Sequence, residues 1–201
     1  MKKYIKNILK IILLLAIFTM FTCSVKATYY GDVDKDGKVT AADARLILRY
    51  SAGLQQFTDE QKCIADFDHD GNVNSSDART ALRTASKLER LKEIKVQKAE
   101  FTAYYPSNSG VEGGYYDCIG NRLDPSKNTC AAPKNLPYGT KIKVEGTGTS
   151  IDGKIYTVTD RGGAIRILNN GTYRIDILMG SSRECNNFGR RSGKITIYYD
   201  I

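Results

Sequence analysis

The sequence has very little histidine: among its 201 residues there is one, His69. Ser-His-Asp and Cys-His catalytic units, and His-based zinc sites, all need a well-placed imidazole. His69 lies inside an acidic, turn-rich segment, where we interpret it as a solvated loop residue. The sequence also lacks a G-x-x-x-x-G-K-[ST] phosphate loop. Any catalytic site must therefore depend on carboxylates, tyrosines or lysines.

Long hydrophobic runs are absent as well. The run IILLLAIF at 11–18 is shorter than the roughly 20 apolar residues that a membrane-spanning helix needs. Lysines precede this run, and VKA at 25–27 offers small residues before a cleavage point, so we expect residues 1–27 to be a secretory signal peptide. A lipoprotein signal at Cys23 is the alternative, but Thr22 stands where a small Ala or Gly is wanted. The protein is expected to be secreted.

A strongly basic surface is also missing once the signal is set aside. The formal net charge is +8, but five of the 30 Lys and Arg lie before residue 28, whereas all 22 Asp and Glu lie after it. No dense Lys/Arg stripe with interleaved aromatics is present, so we expect no nucleic-acid partner. Four cysteines remain after the signal, and we expect either one bridge among the last three or none: Cys63, Cys118, Cys130 and Cys185.

One segment repeats with an offset of 34 residues. DVDKDGKVTAADARLILRYSAGL, from Asp32, aligns with DFDHDGNVNSSDARTALRTASKL, from Asp66. Each copy is an acidic loop followed by a helix with apolar residues at helical spacing. The alternative, that these Asp-Gly turns only cap helices, does not account for two complete copies.

The spacing within each loop is that of a calcium site. Such a loop needs oxygen donors at positions 1, 3, 5 and 12, a backbone carbonyl at position 7 and a glycine at position 6. Both copies meet this pattern, with Asp rather than Glu at position 12. We therefore predict two Ca²⁺ ions, held by Asp32, Asp34, Asp36, the Lys38 carbonyl, Thr40 and Asp43, and by Asp66, Asp68, Asp70, the Asn72 carbonyl, Asn74 and Asp77.

Aspartate at position 12, the missing entering helix and the duplicated helix starts DARLILR and DARTALR resemble a type I dockerin over about residues 29–90. The resemblance implies two calcium ions and, as partner, a cohesin domain of a scaffold or surface protein. In that family positions 10 and 11 of each loop carry much of the partner choice. They are Ala41-Ala42 and Ser75-Ser76 here, so the two faces are expected to differ.

From Glu100 onwards the pattern of the sequence changes from helical spacing to short, strand-like segments. Candidate strands are separated by Gly, Pro, Asn and Asp, and such short strands at this spacing indicate a small closed barrel. One helix is predicted over 182–188, capped by Ser181 or Ser182 and ended by Gly189. The candidate strands are EFTAYY at 100–105, TKIKVEG at 140–146, KIYTVTD at 154–160, TYRIDILM at 172–179 and KITIYY at 194–199.

Two carboxylates of the barrel region stand out. Asp160 ends an apolar strand and precedes an Arg-Gly-Gly turn. Asp176 lies within RIDILM, where strand alternation places it on the face opposite the neighbouring isoleucines. A carboxylate among apolar strand residues is costly unless it is paired or functional. Each is therefore either a structural aspartate bonded to amides or an arginine, or a general acid in a cleft.

The motifs FTAYYP, LPYGTKIKVEG, DRGGAI and YRIDILM, followed by FGRRSGKITIYY, resemble the 3D domain over about residues 99–199. The resemblance implies a double-psi β-barrel related to lytic transglycosylases, other muralytic proteins and expansins. In the lytic enzymes one Asp protonates a peptidoglycan glycosidic oxygen and then accepts the 6-hydroxyl proton, closing a 1,6-anhydro ring. By this resemblance Asp160 matches the second family aspartate and Asp176 the third, so Asp176 is the candidate acid/base and Asp160 would position it or hold sugar hydroxyls.

The resemblance has two departures. The first family aspartate falls on Ala132, in NTCAAPKNLPYGT, so either Asp124 replaces it or the site binds glycan without cutting it. Arg161 stands where the family often has Thr. The predicted substrate contacts are Tyr105, Tyr138, Arg161, Gly162 and Gly163.

The sequence thus predicts an α+β multidomain protein, a small α-helical dockerin of two calcium loop–helix repeats and a six-stranded double-psi β-barrel. The expected segments are the signal at 1–27, the dockerin at 28–90, a linker at 91–98 and the barrel at 99–201. The predicted function is lytic transglycosylase-type cleavage of peptidoglycan or another wall glycan by a secreted monomer anchored through cohesin. The alternatives are a non-catalytic, expansin-like glycan-binding or wall-loosening barrel, and an interaction protein whose barrel has lost its site.

Overall fold

The computed structural model describes residues 28–68, 70–108 and 114–198, so the signal prediction and that for His69 lie outside the described residues. Within them the chain forms four helices and six strands. The α+β class and its two parts, a helical calcium-loop region and a six-stranded barrel, are confirmed. No helix in these ranges combines the length and apolarity required to cross a membrane.

The repeat forms two loop–helix units. Helices α1 (Ala41–Ser51) and α3 (Ser75–Ala85) follow calcium loop 1 (32–43) and calcium loop 2 (66–77), and they pack against each other. Each helix begins with a capping box, in which the side chain before the helix and an aspartate three residues later each accept a backbone amide. We call the loops with their helices the calcium module.

A third helix of the module was not predicted. Helix α2 (Asp59–Ala65) has only seven residues, too few for an apolar period to show in the sequence. Its start was nevertheless encoded, because Thr58 and Gln61 form a capping box. The helix buries Cys63, Ile64 and Ala65 and leads directly into calcium loop 2.

The six strands close into a barrel in the order β1-β5-β2-β4-β3-β6. The pairs β1–β5 and β2–β4 are parallel and the other four are antiparallel. Its interior is apolar, with Phe101, Ile142, Ile175 and Ile197 fully buried. The strands are β1 (Lys95–Tyr104), β2 (Thr129–Ala131), β3 (Lys141–Glu145), β4 (Ile155–Asp160), β5 (Tyr173–Leu178) and β6 (Arg191–Tyr198).

Two details of the barrel differ from the predicted elements. Strand β2 was not predicted, since three residues are too few to show an alternation. Strand β1 begins at Lys95, inside the segment predicted as a linker, and residues 95–98 pair with β6. The predicted helix is confirmed as α4 (Ser182–Phe188), capped by Ser181 and followed by Gly189 at φ 62°. The four cysteines of the described residues are free thiols.

Candidate functional site

Each calcium loop gathers three carboxylates at its start. One oxygen from each of Asp32, Asp34 and Asp36 lies within 4.8 Å of the others, and Asp66, Asp68 and Asp70 converge in the same way. Glycine at position 6 allows this turn, because Gly37 and Gly71 adopt φ of 89° and 86°, which side chains rarely tolerate. The three predicted carboxylates of each loop are therefore brought together.

The first aspartate of each loop has a buried oxygen with no hydrogen-bond partner among the described residues. In Asp32 and Asp66 this atom is Oδ1, while Oδ2 accepts the amide of Gly37 or Gly71 at 3.0 Å. Burial raises the pKa of Asp32, and burial together with the nearby Asp77 charge raises that of Asp66 to about 6. Orphaned carboxylate oxygens crowded by like charges fit a hard cation such as Ca²⁺.

The position-12 aspartates join each loop to its helix. Asp43 accepts the amides of Val33 and Thr40 at 2.9 Å, and the equivalent Asp77 accepts those of Phe67 at 2.7 Å and Asn74 at 2.8 Å. Both carboxylates are fully buried. Calcium bound at these loops would hold the entry of each helix in place.

The remaining predicted ligands lie in the second half of each loop, before the helix that follows. The side chains of Thr40 and Asn74 cap α1 and α3, accepting the amides of Ala42 and Ser76. The amides of Lys38 and Asn72 donate to Asp36 at 2.8 Å and to Asp70 at 2.7 Å, which fixes the backbone of the carbonyls predicted to bind calcium.

In the barrel, β2 lies between β4 and β5, the strands that carry the predicted catalytic residues Asp160 and Asp176. Ala131 of β2 pairs with Asp176 of β5 on one side and with Asp160 of β4 on the other. Between Cys130 and Ala131 the β2–β4 ladder skips Thr159, a bulge that redirects Asp160 at the end of its strand. Because β2 lies between the strands that carry Asp160 and Asp176, the Cα atoms of these two residues are about 10 Å apart. Both carboxylates can therefore contact the same sugar unit.

Asp176 stands on the outer face of the barrel. The burial along β5 alternates, with Ile175 and Ile177 fully buried and Asp176 half-buried, as the sequence predicted. Its direct pairing with Ala131 puts it beside a small outer apolar cluster that includes Tyr104 and Leu178. Asp176 therefore has an apolar floor, and its Oδ1 atom is buried while the residue as a whole is partly exposed.

Asp160 is held more tightly. It is 9% exposed, and its Oδ1 accepts the amides of Arg161 at 2.8 Å and of Cys118 at 3.2 Å. Burial, followed by the charge of the nearby Asp160 carboxylate, raises the pKa of Tyr104, and the Asp176 charge adds to the effect. Tyr104 therefore lies close to both carboxylates.

Arg161 and Tyr138 support a loop at this site. The Arg161 guanidinium donates to the carbonyls of Leu136 at 2.7 Å, Asp160 at 3.0 Å and Ala132 at 3.2 Å. It also lies 4.0 Å over the Tyr138 ring, in cation–π geometry. Arg161 thus holds the 132–138 loop in place and covers one face of the Tyr138 ring. The other face of the ring could contact a ligand.

The other predicted substrate contacts surround this loop. Gly162 and Gly163 form an exposed turn that is closed by a bond from the Ile165 amide to the Gly162 carbonyl at 3.0 Å. Tyr105 follows the end of β1 and is half-buried.

Two further positions were predicted to bear on this pair, Asp124 and Ala132. Asp124 accepts the hydroxyl of Ser126 at 2.6 Å and its amide at 2.9 Å, and these bonds lower its pKa. The Asp124 carboxylate thus forms its hydrogen bonds within the turn that contains it. Ala132, where an aspartate was expected, is fully buried in the barrel core. The structure brings together Asp160 and Asp176 on either side of Ala131, whereas the Asp124 carboxylate is hydrogen-bonded within its own turn.

Sequence reasoning missed the cysteine at this site. The Cys118 pKa is raised by burial and by the Asp160 carboxylate beside the thiol, while a hydrogen bond from Tyr138 acts in the opposite direction. Cys118 is 42 residues from Asp160 and lies in an irregular loop, so no sequence spacing indicated the contact. The tyrosine motif FTAYYP did mark Tyr104, although not as a neighbour of the aspartates.

Comparison with known families agrees with both halves of the fold. A model of the type I dockerin domain matches residues 30–80, and a model of the 3D domain matches residues 129–199. No curated protein gave a match. The chain therefore carries a type I dockerin followed by a 3D domain. Dockerins bind calcium and cohesin domains, and this pairing indicates an extracellular, cell-wall- or polysaccharide-associated protein anchored by its dockerin.

Proposed function

We propose that this protein is a secreted, cohesin-anchored enzyme that cleaves peptidoglycan glycan strands by a lytic transglycosylase-type reaction, with Asp176 as the acid/base. The observation that carries the proposal is the placement of Asp160 and Asp176 on either side of Ala131, at the outer face of the barrel. Because the chain has a single histidine, in calcium loop 2, carboxylate chemistry is what this barrel offers.

The proposed reaction needs one carboxyl group used twice. Protonated Asp176 gives its proton to the glycosidic oxygen, the bond from that oxygen to the anomeric carbon breaks, and the leaving sugar departs as an alcohol. The resulting carboxylate then accepts the proton of the 6-hydroxyl, whose oxygen bonds to the anomeric carbon. A 1,6-anhydro ring forms, Asp176 regains its proton, and no water is consumed. General acid–base transfer of this kind contributes about 10²–10⁴-fold to a rate.

Asp160 and the loop beside it would hold the sugar. Two backbone amides fix the Asp160 carboxylate, so it presents a rigid acceptor to sugar hydroxyls. The Tyr138 ring is 40% exposed above Arg161 and offers a flat surface on which a sugar ring can stack. Tyr105, Gly162 and Gly163 would line the approach to this surface.

The calcium module would supply the anchor. The carboxylates of the two loops would hold two Ca²⁺ ions, which neutralise the clustered charge and fix the starts of α1 and α3. The residues at loop positions 10 and 11 are exposed or half-buried, so they are accessible to a cohesin partner: Ala41, Ala42, Ser75 and Ser76.

Digestion of purified peptidoglycan tests the reaction. We expect fragments with 1,6-anhydro ends, lighter by one water than hydrolysis products, and no incorporation of ¹⁸O from labelled water. Asp176→Asn should lose at least 10²-fold in rate because the amide cannot transfer the proton. Asp124→Asn is the matched control and should keep its activity. Hydrolytic products, or equal loss in both variants, would contradict the assignment.

A second function is favoured by one observation. Ala132 is fully buried where the family places its first aspartate, and Arg161 occupies the adjoining space with bonds to backbone carbonyls. A barrel with this change would bind wall glycan and loosen it without cleavage. Retention on insoluble peptidoglycan with no soluble product, unchanged in Asp176→Asn but weakened in Tyr138→Ala, would establish that function instead.

A further inference from the structure

The calcium module is not separate from the barrel in this structure. The amide of Ile94 donates to the Thr28 carbonyl at 2.7 Å, and the amide of Tyr30 donates to the Lys92 carbonyl at 3.0 Å. Tyr198, the last described residue of β6, is 3% exposed and belongs to the apolar core of the module, with Ile155 of β4 packed against the same core. One hydrophobic core therefore crosses the boundary between the two parts.

Glu60, at the start of α2, is the polar centre of this boundary. Its Oε2 lies 3.0 Å from Lys143 Nζ of β3 and 2.7 Å from Lys35 Nζ of calcium loop 1. Its Oε1 accepts the hydroxyl of Tyr198 at 3.3 Å. The Glu60 and Lys143 side chains are only 24% and 17% exposed, so this cluster is less screened by water than a surface ion pair. One carboxylate thus bridges a calcium loop and two barrel strands.

Both calcium loops connect directly to this helix. Lys35, which contacts Glu60, stands between the predicted ligands Asp34 and Asp36 and has a left-handed backbone, with φ 61°. At its other end α2 leads into Asp66, the first predicted ligand of loop 2 and the C-cap residue of the helix. Ordering either loop therefore orders one end of the helix that contacts the barrel.

We infer that β3, β4 and β6 of the barrel form a docking surface for α2, so that calcium binding in the module stabilises the barrel itself. The surface consists of Lys143, Ile155 and Tyr198, and its occupant is the Glu60 end of α2. Calcium loops and barrel then unfold as one cooperative unit. Helices α1 and α3 pack into the same apolar core through Ala44, Ile47, Ala78 and Ala81, while their Leu48 and Leu82 residues are each 48% exposed and lie outside it.

Amide hydrogen exchange of the full chain, with and without calcium, tests this inference. The amides of Ile142 and Ile197, deep in the barrel, should exchange about 100-fold more slowly at a calcium concentration 100 times the Kd, for each calcium site that is coupled. The amide of Ala81, in α3, reports on the module in the same sample. If Ala81 slows while Ile142 and Ile197 do not change, the module and the barrel are independent and the inference is wrong.

The variant Glu60→Gln tests the contact itself. It keeps the size of the side chain but removes the charge, and we expect the calcium effect on Ile142 and Ile197 to fall about tenfold while the effect on Ala81 remains. Glu89→Gln is the control, because Glu89 pairs with Arg83 within the module, on the surface. A calcium effect on the barrel that is the same in both variants would remove Glu60 from the inferred contact. These measurements need no glycan activity, so they stand apart from the proposed reaction.

Discussion

At the scale of single residues, Asp160 connects three parts of the candidate site. Its carboxylate accepts the Cys118 amide, its own strand end is fixed by the Arg161 side chain, and its charge acts on Tyr104. The loop that carries Cys118 is thereby tied to the barrel beside the outer face on which Asp176 stands. A ligand that binds to Asp160 must either replace the amide hydrogen bonds that its carboxylate already accepts or add a further hydrogen bond to them.

The thiols give a residue-scale prediction. Cys118 is exposed, but the Asp160 charge beside it disfavours its thiolate, so Asp160→Asn should make Cys118 react several-fold faster with iodoacetamide. Cys63 is buried with its pKa raised to about 11, and it should react only after unfolding. Peptide mass spectrometry of timed samples measures each rate, with Cys185 as internal standard. An unchanged Cys118 rate would place the thiol away from Asp160.

At the scale of elements, α1 and α3 present equivalent faces. Leu48 and Leu82 are at matching repeat positions and have the same 48% exposure, and Leu54 and Leu88 follow as a second pair, at 68% and 67%. Exposed leucines at matched positions on packed helices form an apolar surface of the kind that protein partners use. The residues around it differ, however, since α1 has Ala41-Ala42 where α3 has Ser75-Ser76.

This asymmetry predicts unequal roles for the two helices in cohesin binding. We expect the cohesin to contact one of the two helices more extensively than the other. Leu48→Asp and Leu82→Asp should therefore weaken the affinity for the same type I cohesin by amounts that differ at least tenfold. Isothermal titration calorimetry in calcium measures both. Val96→Asp, at a 53% exposed position on β1 of the barrel, is the control and should bind normally. Equal losses from the two aspartate variants would show that either helix serves.

The sequence revealed the long or repeated elements and the capped seven-residue helix α4, but it missed the equally short helix α2 and the strand β2. Two copies of a twelve-residue ligand pattern defined the calcium loops, and alternation in RIDILM predicted the outward position of Asp176. Helix α2 and strand β2 have seven and three residues, too few to show a period. Yet these two elements position the most informative contacts, Glu60 against the barrel and Ala131 between the aspartates. Contacts of this kind depend on the tertiary fold and leave no local pattern.

At the scale of the whole molecule, the Glu60 cluster makes the stability depend on pH. Burial opposes ionisation of Glu60, but hydrogen bonds from Lys35 and Lys143 outweigh it and lower the pKa. A carboxyl whose folded pKa lies below its unfolded value of 4.5 stabilises the fold above that pH. This contribution is lost as the pH falls through the folded pKa.

The difference in unfolding free energy between the wild type and Glu60→Gln isolates this contribution. We expect it to be constant, at about 1–2 kcal/mol, between pH 6 and 7.5, and to shrink towards zero below about pH 4.5. Urea unfolding at constant excess calcium, repeated across the pH range, gives the difference. A difference that persists at low pH would mean that shape rather than charge matters at position 60.

The short connection between α3, which ends at Ala85, and β1, which begins at Lys95, has a mechanical consequence. Enzymes on long tethers search the volume around their attachment point, whereas this barrel is held against its own anchor. Under the proposed function, the anchored barrel would reach no farther than about the width of the molecule. The position of the cohesin would then decide which glycan strands are in reach, and the orientation of the bound dockerin would set the direction in which Asp176 faces.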